Sequence, residues 1–166
     1  MEDGVVVPTV FIQCSSEEDF GGRSKSNAGQ VEVVVAIVAK LVIQDKQDKG
    51  KGKAKEEDDA QEPLKITVLT PYTKQVKALQ NALPASVKCS TVDSFQGRES
   101  DIIIFSTVRC NAEGDIGFVE DERRLNVMWT RAKLALIIVG DRRTMTEKDA
   151  RWKRAISSCT ELKMEL

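Results

Sequence analysis

The chain of 166 residues contains no histidine, only four cysteines and one tyrosine. Without histidine, neither histidine acid–base chemistry nor a histidine metal site can form. The cysteines make no C-x-x-C pair, which argues against a zinc ribbon and suits a reducing compartment. We expect all four to be buried, small apolar residues: Cys14, Cys89, Cys110 and Cys159.

Long apolar runs and an excess of charge are also missing. Lysine plus arginine number 25 and acidic residues 26, so the whole chain is not a basic clamp and any nucleic-acid contact must be local. No run is long enough to span a membrane, and the amino terminus lacks a basic segment before an apolar core. We therefore expect no membrane partner and a cytoplasmic or nuclear location.

Strand and helix signals alternate along most of the chain. Strands are predicted at 5–13, 64–70, 87–92, 102–108 and 134–139, with helices at 30–42, 71–83 and 121–133 and a last one after Thr144. This alternation predicts one α/β domain over residues 1–166, with helices on both faces of a mostly parallel sheet. Ligands of such sheets lie at the carboxyl ends of the strands, where we expect residues 70–72 and 93–99.

Capping signals and one charged segment complete this outline. Asn27 with Gln30, and Thr144 with Glu147, resemble capping boxes that begin helices. Residues 44–63 are first lysine-rich, then acidic, and lack apolar anchors. Such a composition predicts a disordered surface insertion. A weak nucleic-acid tract is the alternative, although the charges of the two halves largely cancel.

Two arginines of the helix predicted at 121–133 form a candidate anion site. Arg124 and Arg131 lie seven residues apart, beside an apolar face that includes Leu125 and Met128. Guanidinium groups pair with phosphate oxygens through two parallel hydrogen bonds. On spacing alone, an ordinary solvated helix edge is the better explanation.

Two further polar clusters adjoin predicted strands. In Gln96-Gly97-Arg98-Glu99, the glycine allows a tight turn or the close approach of a ligand, although a plain β-turn is as good an explanation. Thr70-Pro71-Tyr72 stands where a strand meets a helix, whose free N–H groups attract anions. Tyr72 could stack on a base or pack under the rim of the sheet.

Together, in this order, these clusters resemble motifs of the Upf1-like branch of superfamily 1 helicases. LTPYTKQ resembles motif IV, TVDSFQGRESD motif V and RRLNVMWTRAK motif VI. The resemblance covers most of residues 8–152 and implies a single RecA-like three-layer domain, the C-terminal motor lobe. It further implies an enzyme that hydrolyses ATP with Mg between two lobes and moves along single-stranded RNA or DNA.

The resemblance also implies a role for each matching residue. Arg131 would be the arginine finger that stabilises charge on the transferring phosphoryl group. Residues expected on the nucleotide side are Tyr72, Gln75, Gln96, Gly97, Glu99 and Arg124. Residues expected along the single strand are Thr70, Thr91, Asp93 and Arg98. The magnesium ligands are expected on the first lobe, and no metal ligand is expected in this chain.

The chain departs from the family in what it lacks. It has no G-x-x-x-x-G-K-[ST] loop and no acidic box after an apolar strand, and Trp129 replaces a smaller residue. We therefore expect a fragment or split product that is inactive alone and needs the N-terminal RecA-like lobe of the same parent protein. The alternative is a stand-alone, non-catalytic module that binds nucleic acid or protein. An unrelated doubly wound small-molecule domain would need a glycine-rich turn, which the sequence lacks.

Overall fold

In a computed structural model that describes residues 7–51 and 62–164, six strands form one sheet. The strands are β1 (Thr9–Gln13), β2 (Ile66–Thr70), β3 (Lys88–Thr91), β4 (Ser100–Ser106), β5 (Ala132–Gly140) and β6 (Thr160–Leu162). Their order is β3-β2-β4-β5-β1-β6, and every pair is parallel. The predicted α/β architecture with a parallel sheet is confirmed.

Helices cover both faces of this sheet. The helices are α1 (Ala28–Lys51), α2 (Thr73–Ala82), α3 (Glu122–Thr130), α4 (Arg142–Thr146) and α5 (Ala150–Ser157). One core cluster joins the sheet to α1 and α2, and the other joins it to α3, α4 and α5. Two cores on opposite faces of one sheet make the three layers that the sequence predicted.

The central strands are apolar almost throughout because both of their faces are buried. On β4, Ile103 and Phe105 enter the α3-side core, while Ile102 and Ile104 enter the α1-side core. Continuous apolar runs of this kind are typical of parallel strands covered on both faces. Each fully buried aliphatic side chain contributes about 1.5–3 kcal/mol to folding.

Helix α1 is longer than its apolar pattern predicts. It runs to Lys51, so residues 44–51 are helical and the prediction of disorder was wrong there. Glutamine and lysine are good helix formers, and Gln44 donates a hydrogen bond of 2.9 Å to Asp48 one turn later. The part of the predicted insertion at 52–61 lies outside the described residues, as do residues 5 and 6 of the first predicted strand.

Two helix boundaries also differ from the prediction. Helix α3 ends at Thr130, and Ala132 already belongs to β5, because pairing with β4 competes with the helix for these residues. The predicted cap at Thr144 is wrong: Asp141 begins α4 and accepts a hydrogen bond of 3.1 Å from the Thr144 N–H. Asp149 begins α5 in the same way.

The cysteines are free thiols in different degrees of burial. Cys14 and Cys110 are buried as expected, but Cys89 and Cys159 are only half-buried. Burial raises the pKa of both the Cys89 and the Cys110 thiol to about 11. These thiols therefore stay protonated near neutral pH, in keeping with a packing role.

A buried network at the carboxyl ends of the strands holds α1, α2 and β4 together. As predicted, Asn27 caps α1, since its Oδ1 accepts a hydrogen bond of 3.1 Å from the Gln30 N–H. The Gln30 side chain does not close the box but accepts hydrogen bonds from Ser106 Oγ (2.7 Å) and the Val108 N–H (2.8 Å). Asn27 Nδ2 donates to the Val108 carbonyl at 2.9 Å.

The network holds Val108 in an unusual conformation. Its φ of 67° lies in the left-handed region, which a β-branched residue rarely adopts. The amide side chains of Asn27 and Gln30 bind the two sides of this residue, so the surrounding structure fixes the turn. As a result the chain leaves β4 in a direction that points Arg109 toward Tyr72.

We expect Asn27→Ala to lower the free energy of unfolding by about 2–4 kcal/mol, because it leaves buried backbone groups unpaired. Urea denaturation monitored by circular dichroism measures this change. Asn81→Ala is the matched control: Asn81 is exposed on α2, and we expect a change within about 0.5 kcal/mol. Equal unfolding midpoints for the two variants would contradict the structural role of Asn27.

Candidate functional site

The segment between β3 and β4 returns along one face of the sheet. Val92 and Phe95 are buried in the α3-side core, and a 3-10 turn, Asp93–Phe95, follows β3 directly. Ser100 then begins β4. Because β2 pairs with both strands, Thr70 opposite Thr91 and Ile66 opposite Ile102, this segment must run back toward the amino ends of the strands. The prediction that all of residues 93–99 lie at the carboxyl ends is therefore wrong for Glu99.

Helix α3 packs against the same face and runs in the same direction as this segment. Asp121 caps it by accepting hydrogen bonds from the N–H groups of Arg123 (2.9 Å) and Arg124 (3.4 Å). Leu125 and Met128 are buried in the core that also holds Phe95. The predicted apolar stripe is confirmed for both residues.

Arg124 and Asp93 connect the first turn of α3 to the returning segment. Arg124 Nε lies 3.0 Å from Asp93 Oδ1, and Arg124 Nη2 lies 3.1 Å from Asp93 Oδ2. The hydrogen bonds to Asp93 raise the pKa of the Arg124 guanidinium above its ordinary value. The structure thus pairs Arg124, which was predicted on the nucleotide side, with Asp93, which was predicted along the single-stranded nucleic acid.

Arg131 lies at the opposite end of α3. Seven residues of helix separate it from Arg124, which corresponds to about 10 Å along the axis. Its carbonyl accepts a hydrogen bond of 3.0 Å from the Ser100 N–H, next to Glu99. Within the described part of the chain, Arg131 Nε is buried and lacks a hydrogen-bond partner. A buried donor without an acceptor is costly, and an anion would satisfy it once the side chain turned to expose its Nε.

Residues 96–98 form the exposed turn between these two ends. Gly97 has a φ of 76°, and a Cβ built there meets no described atom within 4 Å. The glycine is therefore required by the backbone conformation and not by close packing. Gln96 and Arg98 are exposed beside it. Glu99 Oε2 lies 3.9 Å from Lys133 Nζ, and both side chains are more than half exposed.

Thr70 and Thr91 end neighbouring strands at the carboxyl edge. Thr91 Oγ1 accepts a hydrogen bond of 3.2 Å from the Ser94 N–H and so holds the start of the 3-10 turn. Thr70 is fully buried, and its Oγ1 has no hydrogen-bond partner among the described residues. Of these two threonines, only Thr91 has accessible surface for contact with a nucleic-acid strand in this conformation.

Tyr72 and Gln75 lie in the interior. Tyr72 is 3% exposed, and its hydroxyl accepts a hydrogen bond of 2.9 Å from Arg109 Nη1. Gln75 Oε1 accepts a hydrogen bond of 2.9 Å from the Asn27 N–H, and its Nε2 donates to Ser106 Oγ at 3.2 Å. Contact between an adenine and the Tyr72 ring stays a prediction, and it would require the ring to become exposed.

The amino end of α2 is also occupied by contacts with the loop that precedes α1. The Lys74 N–H, one of the free donors expected there, donates a hydrogen bond of 3.0 Å to Ser24 Oγ. Lys74 Nζ pairs with Asp19 on the same loop. The loop before α1 therefore covers the helix end at which an anion was predicted.

The sequence analysis missed Arg109 and its partners. Arg109 Nε lies 2.9 Å from Glu18 Oε2, and Arg109 Nη2 lies 3.0 Å from Asp115 Oδ2. Burial by itself would lower the pKa of this guanidinium, but Tyr72 and the two carboxylates raise it above its ordinary value. An arginine three residues beyond the end of β4 was the available signal. Nothing in the acidic segment around Glu18 pointed to its partner.

The sequence is similar to known proteins over most of its length. A family model described as an AAA domain matches residues 3–143. Regulator of nonsense transcripts 1 of Dictyostelium discoideum is 34% identical over 162 residues, which are 90% of this chain and 11% of that protein. ATP-dependent helicase upf1 of Schizosaccharomyces pombe is 41% identical over 109 residues, which are 60% of this chain and 12% of that protein. The chain belongs to this AAA domain family, in its Upf1-like helicase branch.

A solved structure shows the same fold. The C-terminal domain of a possible DNA helicase from Lactobacillus plantarum WCFS1 superposes with a TM-score of 0.51 at 13% identity, covering 93% of this chain and 84% of that one. Its identity is low, so it bears on the fold alone. The RecA-like three-layer fold of this Upf1-like lobe is confirmed.

The described residues hold neither a metal-binding cluster nor a membrane-spanning helix. Residues 7–51 and 62–164 contain no group of three or more cysteine, aspartate or glutamate residues arranged to hold a metal ion. Within the same residues, no helix is both long and apolar enough to cross a membrane.

The Asp93–Arg124 pair should couple measurably in this Upf1-like lobe. We expect a double-mutant cycle of alanine substitutions to give a coupling free energy of about 0.5–1 kcal/mol in low salt, because the contact is bidentate and partly buried. The coupling should shrink in 1 M NaCl, where the screening length falls to about 3 Å. Denaturant unfolding of the four variants measures it.

The exposed Glu99–Lys133 pair, at 3.9 Å, is the control and should show almost no coupling. Equal coupling in the two pairs would contradict the geometry of the Asp93–Arg124 contact.

Proposed function

We propose that this chain is the second motor lobe of an ATP-dependent RNA or DNA helicase. In this role it supplies the arginine finger, part of the nucleotide site and part of the single-strand surface. Its relatives in the Upf1-like branch, one of them named an ATP-dependent helicase, support the class of activity. The observation that carries the proposal is the buried, unpartnered Nε of Arg131.

Arg131 fits an anion that arrives from outside the lobe. It caps the carboxyl end of α3, so backbone contacts hold its position, including the 3.0 Å hydrogen bond from Ser100. The described residues give its Nε no acceptor, and a phosphoryl group is the acceptor to which a guanidinium is best matched. This fit agrees with ATP as the cofactor, whose magnesium ligands would come from the first lobe.

Glu99 would belong to the same nucleotide-side surface. It precedes Ser100, which binds the Arg131 carbonyl, so the two candidate residues adjoin one another at the amino ends of β4 and β5. The exposed turn at residues 96–98 then leads toward Asp93 and Arg124. We infer that residues 93–99 form a continuous strip, which couples the bound nucleotide to the single-stranded nucleic acid.

Thr91 and Arg98 would contact the phosphate backbone of the single strand. Both are accessible, and contacts to phosphate position a strand without reading its sequence. Thr70 would join them only if the edge of the sheet opened, since its hydroxyl is now buried. The partner implied on the other side of the nucleotide is the first RecA-like lobe of the parent protein.

The decisive experiment fuses this chain to the carboxyl end of a first lobe taken from a Upf1-like relative. That lobe carries the G-x-x-x-x-G-K-[ST] loop, the Walker A loop, which this chain lacks. We expect the chain alone to show negligible ATPase activity and the two-lobe protein to be active with single-stranded nucleic acid. Arg131→Ala should then lower kcat about a thousandfold, because arginine fingers contribute on this scale. Arg131→Lys should also be strongly impaired, since lysine keeps the charge but lacks the planar fork.

Arg154→Ala is the matched control, because Arg154 is an exposed arginine on α5 that belongs to none of the candidate site residues. Its kcat should stay within about twofold of the unsubstituted protein, as for surface substitutions in general. Near-normal turnover of Arg131→Ala would show that the finger is assigned wrongly. Strand binding by the isolated chain, with no activity in the two-lobe protein, would instead favour a non-catalytic binding module.

A further inference from the structure

An anchored loop at the carboxyl edge carries the most exposed aromatic ring of the described residues. The Asp19 N–H donates a hydrogen bond of 2.9 Å to the Ser26 carbonyl, and the Asp19 carboxylate accepts two more from Ser26, each of 3.1 Å. These bonds close the loop of residues 19–26. Phe20 on this loop is 91% exposed.

The ring of Phe20 is exposed on nearly all sides, and two glycines, Gly21 and Gly22, follow it in the chain. A Cβ built at Gly21 meets no described atom within 4 Å, and Gly22 adopts a φ of 70°. A single exposed phenylalanine is ordinary by itself. Phe20, however, lines a cleft of about 330 Å³, which lies within the range of small-molecule sites, roughly 300–1,000 Å³.

The opposite wall of this cleft is held by ion pairs and hydrogen bonds. Arg109 is bound by Tyr72, Glu18 and Asp115. Asn111 accepts a hydrogen bond of 2.9 Å from the Asp115 N–H and donates to Glu18 and to the Asp115 carbonyl. The cleft therefore combines a fixed polar wall with one free aromatic face.

The charge of the lining decides what the cleft can take. Five acidic residues line it against two basic ones, Lys25 and Arg109, and Arg109 is already neutralised by its partners. Phosphate groups would be repelled from this lining. A flat, neutral ring that stacks on Phe20 and donates amino hydrogens to carboxylates would be accepted.

The cleft adjoins the surface assigned to the single strand. Arg109 on its wall binds Tyr72, which follows Thr70 at the end of β2. On the loop side, Ser24 Oγ accepts from the Lys74 N–H at the start of α2. A strand that crosses the carboxyl edge would thus pass the mouth of the cleft, where Arg23 is exposed next to the glycines.

We propose that this cleft receives one amino-bearing nucleobase of the single strand, stacked on Phe20, while the phosphates stay outside. The inference rests on the proposed function and adds a base contact to its phosphate contacts. It assigns a binding role to residues 19–26, which lie outside the three helicase-like motifs.

Fluorescence anisotropy with the 166-residue chain tests this inference. The probes are a fluorescein-labelled adenine 12-mer and an abasic 12-mer of the same backbone, in low salt. We expect the adenine strand to bind about tenfold more tightly than the abasic strand, which is within the range for stacking one base on an aromatic side chain. Phe20→Ala should remove this difference and leave the abasic affinity unchanged.

Phe20→Trp should keep the preference, and Ile43→Ala is the matched control, because Ile43 is an exposed apolar residue on α1. If Phe20→Ala prefers the adenine strand as strongly as the unsubstituted chain does, the inference is overturned while strand binding stands. If the unsubstituted chain binds neither strand, the proposed strand surface and the inference both fail. Adenosine monophosphate that competes as tightly as the 12-mer, in a Phe20-dependent way, would overturn the assignment to a strand.

Discussion

The burial of Val92 and Phe95 determines where the candidate nucleotide-side residues lie. The connection from β3 to β4 is short, and both strands flank β2. The chain therefore cannot loop through solvent but returns along the sheet, held by these two side chains in the core. This path carries the polar residues from Asp93 at one edge of the sheet to Glu99 at the other. Helix α3 lies on the same face, so Arg124 and Arg131 reach the two ends of the same strip.

The carboxyl edge is organised by a second constraint, the strained turn at Val108. Left-handed backbone at a β-branched residue persists only where its surroundings fix it, and here two buried amide side chains do so. The turn directs Arg109 between Tyr72 and two carboxylates. The conformation of one valine thereby fixes the wall of the cleft beside Phe20 and the burial of Tyr72.

Local patterns predicted the elements well, but not the contacts between distant segments. The apolar runs of β4 and β5 and the spacing of Leu125 and Met128 identified buried strands and a helix face, because those patterns are local. The motifs also indicated the Upf1-like family. The burial of Tyr72 could not be predicted, since its partner Arg109 lies 37 residues away and is placed by the turn at Val108.

The same limit explains the other errors. Glu99 was expected at the carboxyl ends of the strands because it follows a predicted strand in the sequence. The burial of Val92 and Phe95 instead holds this segment against the sheet, so that it ends at the amino ends of the strands. Helix α1 extends into a charged segment because intrahelical contacts such as Gln44–Asp48 support it without apolar anchors. In both cases a contact between side chains determines the structure, and the pattern of apolar residues along the sequence does not show that contact.

In the proposed function, Arg131 completes a nucleotide site formed with another lobe. The most direct measurement is a crystal structure of the two-lobe protein with ADP and a fluoroaluminate, which mimics the transferring phosphoryl group. We expect the Arg131 guanidinium to lie within hydrogen-bond distance, about 3 Å, of the fluoroaluminate. An Arg131 side chain turned away from an occupied site, with another arginine in contact, would contradict it.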